Sequence, residues 1–358
     1  MSLNKMDAAI KSILHKGVVI PAHPLALNQN LTLDIRRQRL LTQYYIASGA
    51  GGVAVGVHTT QFEIRDPSIN LLEPVLKTAS EEISNHASGP FIKIAGICGP
   101  TGQALLEAEL ATKHGYHLGL VSNGGLNEYT EAQLIKRTAL IADIIPVFGF
   151  YLQPAVGGRV LSYDFWRDFV EIPGVQAIKI AAFNRYQTLD VVRAVCYSSR
   201  RDEIALYSGN DDNIVADLLT PYRFMIHGEK YEKRMVGGLL GHWAVWTKAA
   251  VSLLEEIKTC IQHQYNGVEK LLALGVAVTD MNAAIFDAPH AFSGCIPGIH
   301  EVLRRQGLIQ GTWSLNPKEV LSSGQLAEID RVYQDYPHLT DDDFVRSFLH
   351  ERGILINI

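Results

Sequence analysis

The sequence predicts an α/β fold, a closed (β/α)8 TIM barrel carrying a C-terminal helical extension. Three observations predict it. Eight short apolar runs of strand length alternate with longer segments of helical spacing over the first two thirds of the chain. Several of those runs are apolar on both faces, as strands covered on both sides by other structure must be. The chain has 358 residues, where a closed barrel commonly takes about 250 and would leave roughly 100 for an appendage.

The strands are expected to begin at Val18, Val53, Phe91, His117, Pro146, Val175, Glu203 and Arg234. The clearest continuous runs are Val18-Val19-Ile20, Val53-Ala54-Val55 and Ala177-Ile178-Lys179-Ile180-Ala181-Ala182. Leu40, Tyr44 and Ala47 follow i, i+4, i+7 in the first intervening helix, which Ser48-Gly49-Ala50-Gly51-Gly52 stops. Ala249, Leu253 and Ile257 stripe the eighth. An open doubly wound sheet is the competing architecture, weakened because no Gly-x-Gly-x-x-Gly follows the first strand. We divide the chain into a barrel, residues 1–265, and a helical region, residues 266–358, packed on it. Ile329, Val332, Tyr333 and Tyr336 give that region helical spacing, and Thr340 ahead of Asp343 resembles an acidic capping box. No linker rich in Gly, Ser or Pro marks the junction.

Composition narrows the function. The balance is that of a soluble globular chain, 47% hydrophobic and 19% charged, with a formal net charge of −5. Without a basic cluster, nucleic acid is not an expected partner; Arg200–Arg201 and Arg304–Arg305 are isolated pairs. Cys98, Cys196, Cys260 and Cys295 form no Cys-x-x-Cys motif and no disulfide framework. No apolar run reaches membrane-spanning length and no signal-peptide pattern opens the chain, so a cytoplasmic location is expected.

Lys179 is the candidate catalytic residue. It lies within an apolar strand and shares a face with Ala177 and Ala181, while Ile178 and Ile180 point the other way. An inward lysine between two alanines has room beside it for a ligand. Burial lowers its pKa, and a neutral amine is the nucleophile that forms a Schiff base. A structural lysine paired with a carboxylate is the competing explanation, and Lys93 in Phe91-Ile92-Lys93-Ile94-Ala95-Gly96 is a rival of the same kind.

The segment ahead of the lysine strand separates them. Phe148-Gly149-Phe150-Tyr151-Leu152-Gln153-Pro154-Ala155-Val156-Gly157-Gly158 resembles the Tyr-x-x-Pro-x-x-x-Gly motif of the dihydrodipicolinate synthase and N-acetylneuraminate lyase family, on Tyr151, Pro154 and Gly158. Gly174-Val175-Gln176-Ala177-Ile178-Lys179 is similar to that family's Schiff-base strand. Gly51 to Thr60 is similar to its second strand and carboxylate-binding loop, with His58 where the family usually has threonine. Ser208-Gly209-Asn210-Asp211-Asp212 resembles its Ser-Gly-Asp-Asp segment. The resemblance spans roughly residues 15 to 305.

The resemblance implies a cofactor-independent Schiff-base lyase, an aldolase or dehydratase acting on a 2-oxo acid or sugar-acid-derived substrate at the C-terminal mouth of the barrel. It implies a homo-oligomer, tetramer or dimer. Catalysis falls to Lys179 and Tyr151, and substrate binding to Thr59, Thr60 and Gly209. Tyr151 shares its strand face with Gly149 and Gln153, so it is expected to point into the mouth and shuttle protons. Two departures mark a divergent member. No tyrosine matches in Val121-Ser122-Asn123-Gly124-Gly125, with Tyr129 out of register. Val156 stands where dihydrodipicolinate synthases carry an arginine.

Two functions of other classes compete. A metal-dependent barrel hydrolase would draw on His58, His114, His117, His227 and His242, but no His-x-His pair is present and no metal site is expected. A non-catalytic barrel that binds a small acid would not need both Lys179 and Tyr151.

Overall fold

The computed structural model describes residues 6–354. Ten strands occur among them: β1 Val19–Pro21, β2 Gly52–Val55, β3 Ile92–Ile97, β4 Leu118–Val121, β5 Val147–Leu152, β6 Val175–Ala181, β7 Ala205–Ser208, β8 Tyr222–Ile226, β9 Glu229–Lys233 and β10 Met235–Leu240. The helices of the alternating part are α1 Ala8–Lys16, α2 Ile35–Ser48, α3 Leu72–His86, α4 Thr101–Lys113, α5 Glu131–Ala142, α6 Tyr163–Phe169, α7 Arg185–Tyr197, α8 Ile214–Leu219 and α9 Thr247–Gln262. The tail adds α10 Val268–Phe286, α11 Cys295–Arg305, α12 Gln325–Asp335 and α13 Asp342–His350.

Eight strands form one parallel sheet in the order β1-β10-β7-β6-β5-β4-β3-β2. Its two ends meet through a parallel bridge between Ala22 and Ala54, which closes the barrel. The barrel strands begin within two residues of the expected starts. What the sequence reading missed is the antiparallel hairpin β8–β9. His227 (φ 50°) and Gly228 (φ 85°) turn it, both left-handed, as a two-residue hairpin turn requires.

The chain divides into two compact units, one of residues up to Val18 with Ile92–Leu239, the other of Val19–Phe91 with residues from Leu240 onward. In the first unit, register sets which side chains share a row. Phe148 pairs with Ala177 and Ala177 with Ala205. Two residues on, Phe150 pairs with Lys179 and Lys179 with Tyr207. The Phe148 and Tyr207 rings meet edge-on, 5.4 Å apart, on this same face. The opposite face carries Gly149, Ile178 and Leu206 towards the helices: a Cβ on Gly149 would lie 2.6 Å from the Phe169 ring of α6.

One irregularity decides the site. Val147 pairs with Val175, but Phe148 pairs with Ala177, so Gln176 is an extra residue in β6. Such a bulge shifts every later pairing by one.

In the second unit the tail helices pack with α2 and α9. Buried Asp341, the N-cap of α13, accepts from the Tyr44 hydroxyl at 2.6 Å, the Lys248 amide at 2.9 Å and Gln306 Nε2 at 2.8 Å. One carboxylate thereby ties together α2, the start of α9, the end of α11 and α13. The boundary at residue 265 falls between α9 and α10. The capping box expected at Thr340 and Asp343 is not formed: Asp341 is the cap residue, and the Thr340 hydroxyl donates to the Pro337 carbonyl. On α2, Leu40 and Tyr44 are buried as expected and Ala47 is exposed; Ser48 takes the buried place. Gly49 ends that helix in the left-handed region, φ 88°. Among the described residues no helix is long and apolar enough to cross a membrane.

Candidate active site

Lys179 sits on the fifth residue of β6, towards the strand's C-terminal end, where barrels of this kind keep their chemistry. Its side chain is 9% exposed, and its ammonium lies 4.3 Å from the centre of the Phe150 ring. Ala181 shares its face, as expected: a Cβ placed on Gly209 would lie 2.5 Å from Lys179 Cε and 2.9 Å from Ala181 Cβ. Gly209 is therefore the clearance that lets the lysine pass, held there by its amide donating to the Ile180 carbonyl at 2.7 Å. Burial pushes the ammonium down to about 8, while Asp211 pulls it upward. An amine of that pKa is roughly a tenth neutral at pH 7, against about three in ten thousand for an ordinary lysine. Gly209→Ala is expected to keep the fold and slow reaction at Lys179 on the order of 10²-fold, the effect of misplacing a reacting group by about 1 Å. Circular dichroism and the rate of borohydride trapping with pyruvate check both parts.

The loop that carries Gly209 and Asp211 is built on Asp217, a carboxylate 1% exposed in α8. It accepts from Ser208 Oγ at 2.7 Å, Asn210 Nδ2 at 2.8 Å, Asn213 Nδ2 at 3.2 Å and the Tyr222 hydroxyl at 3.2 Å, and it pairs with Arg185. Asn210 Oδ1 in turn accepts from the Phe183 amide after β6. Sequence reasoning quoted this segment but singled out only Gly209. The two acidic residues after Asn210 were the available signal for Asp211. Asp217, six residues beyond, had none, because its role appears only when α8 folds back on the loop.

The structure corrects the orientation expected of Tyr151. Continuing the pairing of Val147 with Val175 would set Tyr151 opposite Lys179; the extra residue Gln176 sets Phe150 there and Tyr151 opposite Ile180. Tyr151 consequently lies on the helix-facing side. Its ring packs on Trp166 of α6 at 5.2 Å. Its hydroxyl accepts from the Leu161 amide at 3.3 Å and lies 3.5 Å from the Leu161 carbonyl. Burial raises its pKa, and the charges that reach it are those of Asp190 and Glu131, on the surrounding helices. Tyr151→Phe is therefore expected to change turnover by less than about threefold, well under the effect of losing a general acid–base group. It should cost about 1 kcal/mol of stability through the Leu161 bonds; steady-state kinetics and urea unfolding check the two.

Lys93 lies towards the other end of the barrel. The pairings place Ala95, Gly119, Val147 and Val175 in one row. Lys93 comes two residues before that row and Lys179 four after it. The Lys93 amide donates to His117 Nδ1 at 3.1 Å, and its Nζ lies 3.3 Å from where a Cβ on Gly115 would sit. Burial lowers its pKa as well, so titration alone does not distinguish the two lysines; position along the strand does.

The Thr59–Thr60 loop belongs to the second unit. Both threonines are buried in a short 3-10 turn, His58–Thr60. Thr59 Oγ1 donates to the Ala22 carbonyl at 2.8 Å, and Thr60 Oγ1 donates to the His23 carbonyl at 2.6 Å. The Thr60 oxygen also accepts from the Gly56 and Val57 amides at 3.0 and 3.2 Å. The expected carboxylate donors thus hold the loop together, and the Thr60 hydroxyl takes up two of the loop's amides. Sequence reasoning missed the next residue, Gln61, which is fully buried at a positive φ.

Arg159 NH1 donates to the Leu126 and Tyr129 carbonyls at 3.1 and 2.8 Å, which commits it away from the place left by Val156. Among the described residues no three or more His, Cys, Asp or Glu are grouped so as to hold a metal ion.

No protein-family profile matches the chain. Curated N-acetylneuraminate lyases do. That of Escherichia coli (strain SMS-3-5) is 28% identical over 196 residues, 54% of this chain and 62% of that protein. That of Escherichia fergusonii is 27% identical over the same span. The chain spans about three fifths of the length of the curated relatives it matches. Among solved structures, dihydrodipicolinate synthase from Oceanobacillus iheyensis superposes with a TM-score of 0.72 at 17% identity, covering 92% of this chain and 99% of that one. N-acetylneuraminate lyase from Fusobacterium nucleatum complexed with pyruvate gives 0.70 at 15% identity, covering 91% and 99%. These structural likenesses establish the barrel fold, and over 196 residues the chain is similar in sequence to curated N-acetylneuraminate lyases.

Proposed function

We propose that the chain is a Schiff-base-forming lyase, an aldolase or dehydratase, acting on a 2-oxo acid or a sugar acid derived from one. The observation that carries this reading is Lys179, a buried amine held near pKa 8 beside the Phe150 ring, with Gly209 clearing its path. Neutral Lys179 adds to the C2 carbonyl. A proton moves from nitrogen to the former carbonyl oxygen, a second proton drawn from solvent joins it there, water leaves, and a protonated imine remains. The imine draws electrons from C3. Either the C4 hydroxyl gives up its proton and the C3–C4 bond breaks to an aldehyde and an enamine, or C3 loses a proton and a hydroxyl further along departs as water.

Asp211, the carboxylate whose charge reaches Lys179, takes the proton-moving part expected of Tyr151. It accepts from the nitrogen and returns the proton to the departing oxygen. Gly209 borders the amine and leaves room for the substrate there. Val156 offers no donor and Arg159 is engaged elsewhere, so the far end of the substrate is a neutral aldehyde or sugar tail, not a second carboxylate. The enzyme needs no cofactor and works in the cytoplasm as a dimer or tetramer.

The test is a panel of 2-oxo-3-deoxy sugar acids, N-acetylneuraminate included, with pyruvate release read by a coupled dehydrogenase. Release from at least one member is expected. No release from any member, together with no dehydration product and no trappable adduct, overturns the reading.

A further inference from the structure

The β8–β9 hairpin stands outside the barrel sheet and forms a two-stranded sheet of its own. β8 covers one edge of β9, with pairs running from Tyr222 and Lys233 to Ile226 and Glu229. The other edge of β9 is bare: among the described residues no further backbone hydrogen bond reaches Glu229–Lys233. Glu229, Lys230 and Glu232 are exposed, and Tyr231 and Lys233 are half-buried. An open strand edge is a template for another strand, which proteins ordinarily blunt.

The turn fixes which groups that edge offers. In a two-residue hairpin the flanking residues, here Ile226 and Glu229, exchange both backbone hydrogen bonds, and such pairs alternate along the ladder. Glu229, Tyr231 and Lys233 therefore address β8, while Lys230 and Glu232 turn their N–H and C=O groups outward. A strand added to this edge must bond to those two residues.

The side chains say which strand fits. β9 reads Glu-Lys-Tyr-Glu-Lys, so its charges are opposite in sign at equal distances on either side of Tyr231. A second copy laid antiparallel, with Tyr231 on the two-fold axis, sets Lys230 against Glu232 and Glu229 against Lys233. Opposite charges on facing residues attract, and like charges repel. Slipping the register by two residues sets Lys230 against Lys230 or Glu232 against Glu232. A parallel in-register pairing opposes every charge with its like. Glu232 is held ready by Arg223 at 2.8 Å and Arg234 at 3.0 Å, and the Arg201 guanidinium lies 4.0 Å from the centre of the Tyr231 ring. Among the described residues Lys230 forms no ion pair.

We propose that the β9 edge joins two copies of this chain, antiparallel about a two-fold axis at Tyr231, into one four-stranded sheet. The same patch serves both copies, as an isologous interface requires. Lys230 of each copy exchanges both backbone hydrogen bonds with Glu232 of the other. An edge of this length buries less than the roughly 1,200 Å² of a stable interface, so the pairing is reversible and depends on concentration. It is independent of the chemistry at Lys179.

The experiment is sedimentation of the full chain over a concentration series, combined with disulfide trapping. In Tyr231→Cys the two thiols face each other at a pair without backbone hydrogen bonds, where Cα atoms stand about 4.5 Å apart, within disulfide reach. Mild oxidation with diamide is expected to give a covalent dimer in which residue 231 is joined to residue 231. Met225→Cys, at a position 64% exposed on β8, is the control and should give no such dimer. Lys230→Pro removes an outward N–H and leaves the ladder with β8 whole, so the fold, read by circular dichroism, is kept. It is expected to weaken association roughly 10- to 100-fold. Lys230→Glu serves if the proline disturbs the hairpin: it opposes two carboxylates, and its loss of association should shrink as salt is raised. No disulfide between the two positions 231 in a folded Tyr231→Cys protein overturns the proposal, as does association unchanged in both Lys230 variants. A wild type that stays monomeric throughout the series overturns it as well.

Discussion

Lys179→Met is expected to abolish the reducible adduct with pyruvate and to lower turnover on the order of 10⁴-fold or more, as loss of a covalent nucleophile does. The same variant is expected to be more stable than the wild type at pH 7. The folded protein holds this amine near 8, below its ordinary value of 10.5. The unfolded chain therefore binds the proton more tightly, and the charged lysine destabilises the fold. The sign follows: the penalty is fully present below about pH 8 and fades as pH rises towards 10.5. A gap of that size corresponds to roughly 3 kcal/mol. Methionine keeps most of the aliphatic length and sheds the charge. Urea unfolding at pH 7 and pH 10 should show the variant's advantage at the lower pH and its loss at the higher. A Lys179→Met protein that is less stable at pH 7 would mean that the ammonium is well paired and its burial well compensated.

Asp211→Asn carries the second large effect. If Asp211 moves the proton between nitrogen and oxygen, imine formation should slow by roughly 10²- to 10⁴-fold. The carboxylate also raises the Lys179 pKa. Its removal should move the acid limb of the trapping-rate profile to a pH below the wild-type value near 8. Both changes are read from one set of borohydride quench curves. A rate that rises at low pH, with the limb displaced and no loss at its plateau, would leave Asp211 as a charge that tunes the lysine and nothing more.

Much of the fold was legible because its signals are local. Apolar runs such as Ile178 to Ala182 name a strand covered on both faces, and Gly49 names the end of α2 by its conformational freedom. Lys179 was legible for the same reason, since alternation alone put it on the alanine face. What alternation does not reveal is an extra residue in the partner strand. Gln176 leaves no mark in β5, yet it decides that Phe150 and not Tyr151 stands opposite the lysine. The sequence match on Tyr151 was sound as a match and misleading as geometry. The threonine loop shows a different limit of a sequence: hydroxyls that look available in it donate to the carbonyls of Ala22 and His23, 37 residues away along the chain. Gln61 drew no notice because a glutamine after two threonines has no pattern; its backbone angle and its bond to Leu315, 254 residues away, exist only in the fold. The β8–β9 hairpin was the one avoidable omission, for His227-Gly228 between alternating residues is a turn signal.

The central claim is a covalent bond between a 2-oxo acid and one lysine, and it is tested most directly by reduction and mass mapping. The protein is incubated with pyruvate, reduced with borohydride, digested and sequenced by mass spectrometry. The account predicts one added pyruvate-derived mass, on the peptide that contains Lys179, absent from Lys179→Met. A modification on Lys93 with none on Lys179, or no modification at any lysine, would contradict it.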